Sequence, residues 1–222
     1  SRRGILSIGD SLGGVSVEVP VPSGFYSGLV AVPTERRFLL TGRQFKANPE
    51  TPPAEIHEFA MDGQLLRSYG EMQKPRSDWD AQFLAVFGAP WNGELLVGSI
   101  NSNSVRRYDP VTQKSRSFRV GDGWYTAFEY PSDKLLHMKD SSAMSRMTTW
   151  IRKQRMMNGV FASSDGVIIG RFQSFDGKGN RYYYYAVGDP LGRTYAVAGP
   201  TRALVVWARA DTVFWLLPRK DS

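Results

Sequence analysis

Hydrophobic and polar positions alternate with a period of two along most of the chain, and clusters of Gly, Pro, Asp, Asn and Ser interrupt the alternation. Period two sets successive side chains on opposite faces of a strand, and the clusters hold the residues tight turns need. The pattern therefore predicts strands joined by hairpins. Two kinds of hairpin recur. An inner kind joins two apolar runs: 29–32 with 38–41, 83–87 with 94–99, 159–162 with 167–172 and 204–207 with 213–217, with 126–130 and 135–138 a weaker copy. An outer kind is more amphipathic and aromatic: 5–8 with 15–19, 55–59 with 65–69, 105–108 with 115–120 and 182–187 with 193–197.

An inner hairpin followed by an outer one is a four-stranded unit, the blade of a β-propeller. Units starting near residues 29, 83, 126, 158 and 204 are spaced by 54, 43, 32 and 46 residues, which brackets the roughly 40–50 residues of propeller repeats. The expected fold is all-β, a β-propeller of about five recognisable four-stranded blades, of the five- or six-bladed type. It forms a single domain over 1–222, with the segment 141–157 as a connection where the third outer hairpin is lacking. The last unit has only an inner hairpin and the chain opens with only an outer one. Pairing 5–19 with 204–217 would close the ring and leave no open sheet edge.

Three strings add a family resemblance. Arg2-Arg3-Gly4-Ile5-Leu6-Ser7-Ile8 with Val15-Ser16-Val17-Glu18-Val19-Pro20, Ala54-Glu55-Ile56-His57-Glu58-Phe59 with Asp62-Gly63-Gln64-Leu65-Leu66-Arg67, and Val105-Arg106-Arg107-Tyr108-Asp109-Pro110 resemble repeats of bacterial six-bladed, NHL-like β-propellers. The resemblance implies a bacterial, extracytoplasmic setting. It also implies six blades, so the chain departs from the family by apparently lacking one or more N-terminal blades.

Composition narrows the classes further. Of 222 residues, 41% are hydrophobic and 13% aromatic, so the chain is not of the disordered kind. No apolar run approaches the ~20 residues of a membrane-spanning helix. With no Cys, disulfides and Cys-ligated metal sites are excluded, which suits an exported protein. The chain begins Ser1-Arg2-Arg3 without an initiator Met, as expected of a processed mature chain or a fragment. The net charge of +7 is uneven: residues 1–111 hold 11 Lys/Arg against 12 Asp/Glu, and residues 112–222 hold 17 against 9.

Candidate chemistry is sparse. Gly9-Asp10-Ser11-Leu12-Gly13 matches the G-x-S-x-G nucleophile pattern, but a nucleophile elbow needs a helix next and Val15-Ser16-Val17-Glu18-Val19 reads as a strand. His57 falls in an outer strand and His137 in a short apolar strand, neither with a partner at ligand spacing. Asn101, Asn103 and Asp140 are the residues considered for a channel calcium of the kind propeller lactonases hold, but no set of carboxylates recurs at one blade position. Asp176-Gly177-Lys178-Gly179-Asn180 lacks phosphate-loop spacing and reads as a turn. The run Tyr182-Tyr183-Tyr184-Tyr185 is expected to alternate between the two faces of its strand. No catalytic residue, metal ligand or cofactor is expected.

One segment breaks the β rhythm. Residues 141–164 contain no acid but do contain Arg146, Arg152, Lys153 and Arg155, and four of the chain's seven Met are Met144, Met147, Met156 and Met157. On a helix Met144, Met147 and Ile151 share a face, with Trp150 beside them. Met adapts to irregular surfaces, and Trp and Arg are favoured interface anchors. The expected partner-binding residues are Met144, Arg146, Met147, Trp150, Arg152, Lys153 and Arg155, set against the plain alternative of a connection that covers the ring. The expected partner is a protein with an acidic surface, including a membrane-protein complex, or an anionic lipid surface. The functional expectation is a non-enzymatic binding or scaffold module, an extrinsic accessory subunit of a larger assembly in the periplasm or outside the cell. A calcium-dependent lactonase- or esterase-like hydrolase is the alternative. Nucleic-acid binding is the weaker one, because Arg outnumbers Lys 20 to 8 and the cations are scattered over hairpins without an RNA motif.

Overall fold

The computed structural model describes residues 3–9, 15–22, 24–32, 36–44, 54–72, 80, 83–84, 86–137, 140, 142–209 and 212–216. The described chain is mostly strand, in three antiparallel four-stranded sheets and two two-stranded ones. It divides into two compact units, Ser1–Lys74 and Pro75–Ser222.

In the first unit, β1 (Arg3–Gly9) and β2 (Val15–Pro22) form a hairpin. A meander of β3 (Gly24–Val32), β4 (Arg37–Gln44), β5 (Ala54–Ala60) and β6 (Leu65–Glu71) comes next. The middle of each central strand, residues 38–42 of β4 and 55–59 of β5, is buried without alternation, as in a sheet covered on both faces. Phe38 and Phe59 are register partners with rings stacked 5.3 Å apart, and Val19 and Val21 of β2 pack with them. Glu58, buried in the same sheet, is held by Arg37 on one neighbouring strand and Arg67 on the other. Such partners offset the hydration a buried polar group gives up.

The second unit holds the sheet β7 (Val86–Trp91), β8 (Glu94–Ser99), β9 (Ser104–Tyr108) and β10 (Ser115–Arg119). A second sheet contains β11 (Met156–Ala162), β12 (Ile168–Phe175), β13 (Arg181–Gly188) and β14 (Thr194–Thr201), and β15 (Leu204–Arg209) pairs with β16 (Thr212–Leu216). The sheets stack one after another, face to face. Ala89, Leu96, Val105 and Val120 meet Met157, Val160, Ile168, Phe172 and Ala186 in one core. On the opposite face of the second sheet, Ile169 and Tyr185 meet Val205 of β15. Strand alternation divides the tyrosine run accordingly: Tyr184 joins the first of these cores, and Tyr183 and Tyr185 the second.

In both four-stranded sheets of this unit the last strand is the exposed one. That matches the inner-to-outer gradient read from the sequence. The first strand of the hairpin expected from 83–87 and 94–99 is displaced toward the turn: Phe83 and Leu84 are not strand, and β7 runs on to Trp91. Pro90 and Trp91 belong to β7, and only Asn92 and Gly93 turn, at φ 48° and 78°, the left-handed pair of a two-residue hairpin.

The weaker copy is not a hairpin. Residues 125–132 form no strand, and Asp133–Leu136 is a short helix, α1. Ser132 caps it, its hydroxyl accepting from Leu135 N at 3.3 Å, with Asp133 in the first turn. A Ser-Asp start before two leucines is a helix signal, and it outweighs the apolar pattern that suggested a strand. His137 therefore sits at the C-cap of α1, not in a strand, and Met138 lies outside the described residues. The remaining part of the connection is a second helix, α2 (Ala143–Ile151), after which the chain enters β11 at Met156.

Candidate functional site

The acid-free segment is organised by α2. Asp140 accepts from Ser142 N at 2.8 Å and from Ser142 Oγ at 2.6 Å at the start of the helix, which holds its carboxyl below the usual range. Negative charge there complements the helix dipole. At the other end Arg152 N donates to Thr148 O, Lys153 N to Trp150 O and Gln154 N to Ile151 O, each at 3.0 Å. Arg152 and Lys153 thus stand beside the carbonyl end, where cations are favoured.

The apolar seam of α2 runs through Ala143, Met147, Trp150 and Ile151. Met147 is 1% exposed and packs with Phe83 and Leu136, and the Trp150 ring lies edge-on to Phe83 at 5.1 Å and Phe128 at 5.4 Å. Met144, which the helical reading placed on the same face, is 63% exposed. Seven sequence-predicted residues therefore separate into three groups. Met144, Arg146, Arg152 and Lys153 are exposed, and the Arg152 guanidinium lies over Gly179 in the β12–β13 turn. Met147 and Trp150 face the interior. Arg155 is half-buried, its guanidinium 4.1 Å from the Trp124 ring centre and 5.0 Å from that of Tyr184, with Nη1 donating to Trp124 O at 3.2 Å.

Between this segment and the core is a cleft of about 310 Å³, lined by Thr126, Ala127, Glu129, Lys153, Gln154, Arg155 and Ser174. Gln154 is 6% exposed, and its Oε1 accepts from Glu129 N at 3.1 Å, joining the two walls. Its Nε2 has no acceptor among the described residues. Arg155 Nε is buried and equally without an acceptor. A donor left without an acceptor is where an incoming oxygen gains most, and on these walls that donor is Gln154 Nε2. Beside the cleft, burial pushes the Tyr125 hydroxyl up to about 12, partly opposed by the charge of Arg155.

Sequence reasoning found Lys153 and Arg155 but not Gln154, Glu129, Thr126 or Ser174. These come from three separate stretches of chain, and no local pattern joins them. The other candidates resolve more simply. Ser11 lies outside the described residues, and the first described element after it is strand β2, not a helix. His57 is buried, with Nδ1 2.8 Å from Ser68 Oγ and Nε2 3.2 Å from Gly42 O. Asn101 donates to Tyr130 Oη at 3.5 Å, Asn103 is buried and Asp140 accepts from Ser142, the residue that precedes α2. Asp176 accepts from Lys178 N and Asn180 N within its own turn. Among the described residues no three His, Asp or Glu side chains are grouped to hold a metal ion, and no helix is long and apolar enough to cross a membrane.

No family model matches the chain, and no curated protein does. Among solved structures it is similar to a candidate exported protein of Bacteroides fragilis NCTC 9343, at 9% identity and a TM-score of 0.47, over 83% of this chain and 49% of that one. It is also similar to a eukaryotic initiation factor, at 10% identity and a TM-score of 0.24, over 90% of this chain and 61% of that one. The chain thus spans less than two thirds of each.

Proposed function

We propose that this chain is a non-enzymatic β-propeller of NHL-like type, its ring closed by the terminal hairpins, and that it serves as an extracytoplasmic binding or scaffold subunit of a larger assembly. The succession of meander sheets packed face to face supports the propeller. One observation carries the docking role: Met144, Arg146, Arg152 and Lys153 are exposed on or just after α2, in a stretch without a single acid between 141 and 164. An exposed soft apolar side chain and three exposed cations on one acid-free stretch suit an acidic protein surface. The face excludes Met147 and Trp150, which hold the helix down.

The test is binding to a surface-immobilised poly-glutamate peptide at low salt, with the triple variant Met144→Glu, Arg146→Glu, Arg152→Glu, which leaves the cleft lining intact, as the comparison. The reading expects saturable binding by the native chain, weakened by salt and by at least about tenfold in the variant, which is 1.4 kcal/mol. Equal binding by both proteins, or none by the native chain, overturns it.

A further inference from the structure

We infer that the cleft beside α2 is a binding site for a carboxylate-bearing ligand. The inference concerns the cleft and stands whether or not the outer face of α2 docks a partner. Its basis is an imbalance between donors and acceptors. Gln154, a residue of the cleft lining, is more than nine-tenths buried, its Oε1 is committed to Glu129 N, and its Nε2 has no acceptor among the described residues. Lys153 supplies an ammonium on the same wall, and Arg155 adds the charge of a guanidinium whose Nε is itself closed off from solvent. Thr126 and Ser174 add hydroxyls that can donate or accept. An amide donor without a partner, an ammonium and two hydroxyls on walls that are already braced define a site for oxygen acceptors.

The bracing matters as much as the donors. Arg155 is held between the Trp124 and Tyr184 rings and by Trp124 O, and Gln154 is fixed by its bond to Glu129 N. Binding therefore need not order these two side chains, and the usual entropic penalty is reduced.

Charge selects among anions. The lining carries two cations and one acid, Glu129. A single net positive charge suits one carboxylate better than a doubly charged phosphate, which Glu129 would repel. Glu129 itself is an acceptor for a hydroxyl or ammonium on the same ligand. A volume of about 310 Å³ is at the small end of ligand pockets and suits a group the size of an amino acid. The carboxylate can belong to a free small acid or to an acidic side chain of a bound polypeptide, and the experiment separates the two.

Sodium glutamate, an acetylated and amidated tri-glutamate peptide, and inorganic phosphate are titrated into ¹⁵N-labelled protein while the Gln154 side-chain amide and the 153–155 backbone amides are followed by NMR. Either carboxylate probe is expected to shift these signals saturably, and Lys153→Met and Ser174→Ala are each expected to weaken binding about tenfold while unfolding stays cooperative. Lys153 is exposed, so its replacement keeps the test valid even where Gln154→Leu fails to fold. Glutamate binding as tightly as the peptide identifies a free acid, and a peptide at least about tenfold tighter identifies a polypeptide source. Phosphate binding more tightly than both, or signals unmoved by all three probes at roughly 50 mM, overturns the assignment.

Discussion

Arg171 on β12 donates a 2.5 Å hydrogen bond to the carbonyl oxygen of Val205 on β15, joining a four-stranded sheet to the hairpin packed on its face. The rest of the guanidinium is committed to Asn158 on β11, Nε to Oδ1 at 2.8 Å and Nη2 to the carbonyl at 2.7 Å. Burial lowers the pKa of Arg171, and neutral oxygens and the Phe161 and Tyr183 rings surround it. Gly159 leaves the room: a Cβ there would stand 3.1 Å from Nη2.

Three acceptors in fixed directions need the planar fork of arginine. Arg171→Lys is expected to leave at least one carbonyl unpaired and to cost about 2–3 kcal/mol. Urea unfolding checks this, and an unchanged midpoint would refute the staple.

His57 predicts a pH dependence. Burial lowers its pKa below 6.5, opposed by hydrogen bonds to the Gly42 and Ala54 backbone. The unfolded chain then takes up a proton near pH 6.5 that the folded chain refuses, so the unfolded state binds more protons as pH falls. Stability should be level above about pH 7, decline below 6.5 by up to about 1.4 kcal/mol per pH unit, and flatten once the folded-state pKa is passed. Melts from pH 8 to 4 should show this component in the native chain and lose it in His57→Gln.

Two glycines separate conformation from crowding. Gly63, at φ +88°, turns β5 into β6, and a Cβ there would lie 2.5 Å from Pro20 O and 2.7 Å from Val19 Cγ1. Gly93, at φ +78°, has nothing within 4 Å. Gly93→Ala should cost only the left-handed penalty, about 1 kcal/mol, whereas Gly63→Ala should cost at least about twice that, because β2 must also move. Equal losses in chemical denaturation would show that the β2 contact carries no weight.

The helix α2 should respond on one side only. Trp150→Ala removes a ring packed on Phe83 and Phe128 and is expected to cost about 3 kcal/mol. Met144→Ala, at a side chain 63% exposed, should stay within about 0.5 kcal/mol. Thermal melts of the two variants distinguish the seam from the outer face.

At low pH the β13–β14 turn should loosen. Asp189 accepts from Leu191 N, Arg193 N, Arg193 Nε and Tyr195 Oη, and these bonds, Tyr195 first, hold its carboxyl at about 2. A carboxylate depressed in the folded state contributes stability above its unfolded value of 3.8 that is lost as pH falls through about 2. Hydrogen exchange at Arg193 N should rise across that window, and Asp189→Asn should abolish the change.

The sequence by itself determined most of the strands, because side-chain alternation and turn residues are local properties. Asn92-Gly93, Asp62-Gly63 and Asp189-Pro190-Leu191-Gly192 each mark a hairpin that the structure contains. It also carried the start of α1 in Ser132-Asp133, although the apolar residues around it matched a strand equally well. Only the tertiary structure decided which side of α2 is buried. Met144 and Met147 differ by one helical turn's slant, and the choice between them was made by Phe83, Phe128 and Leu136, which come from other parts of the chain. The cleft was likewise decided by packing alone. Its donors become a site only because Gln154 is fixed to Glu129 and Arg155 is clamped by Trp124 and Tyr184, contacts that span up to about thirty residues and leave no period in the sequence.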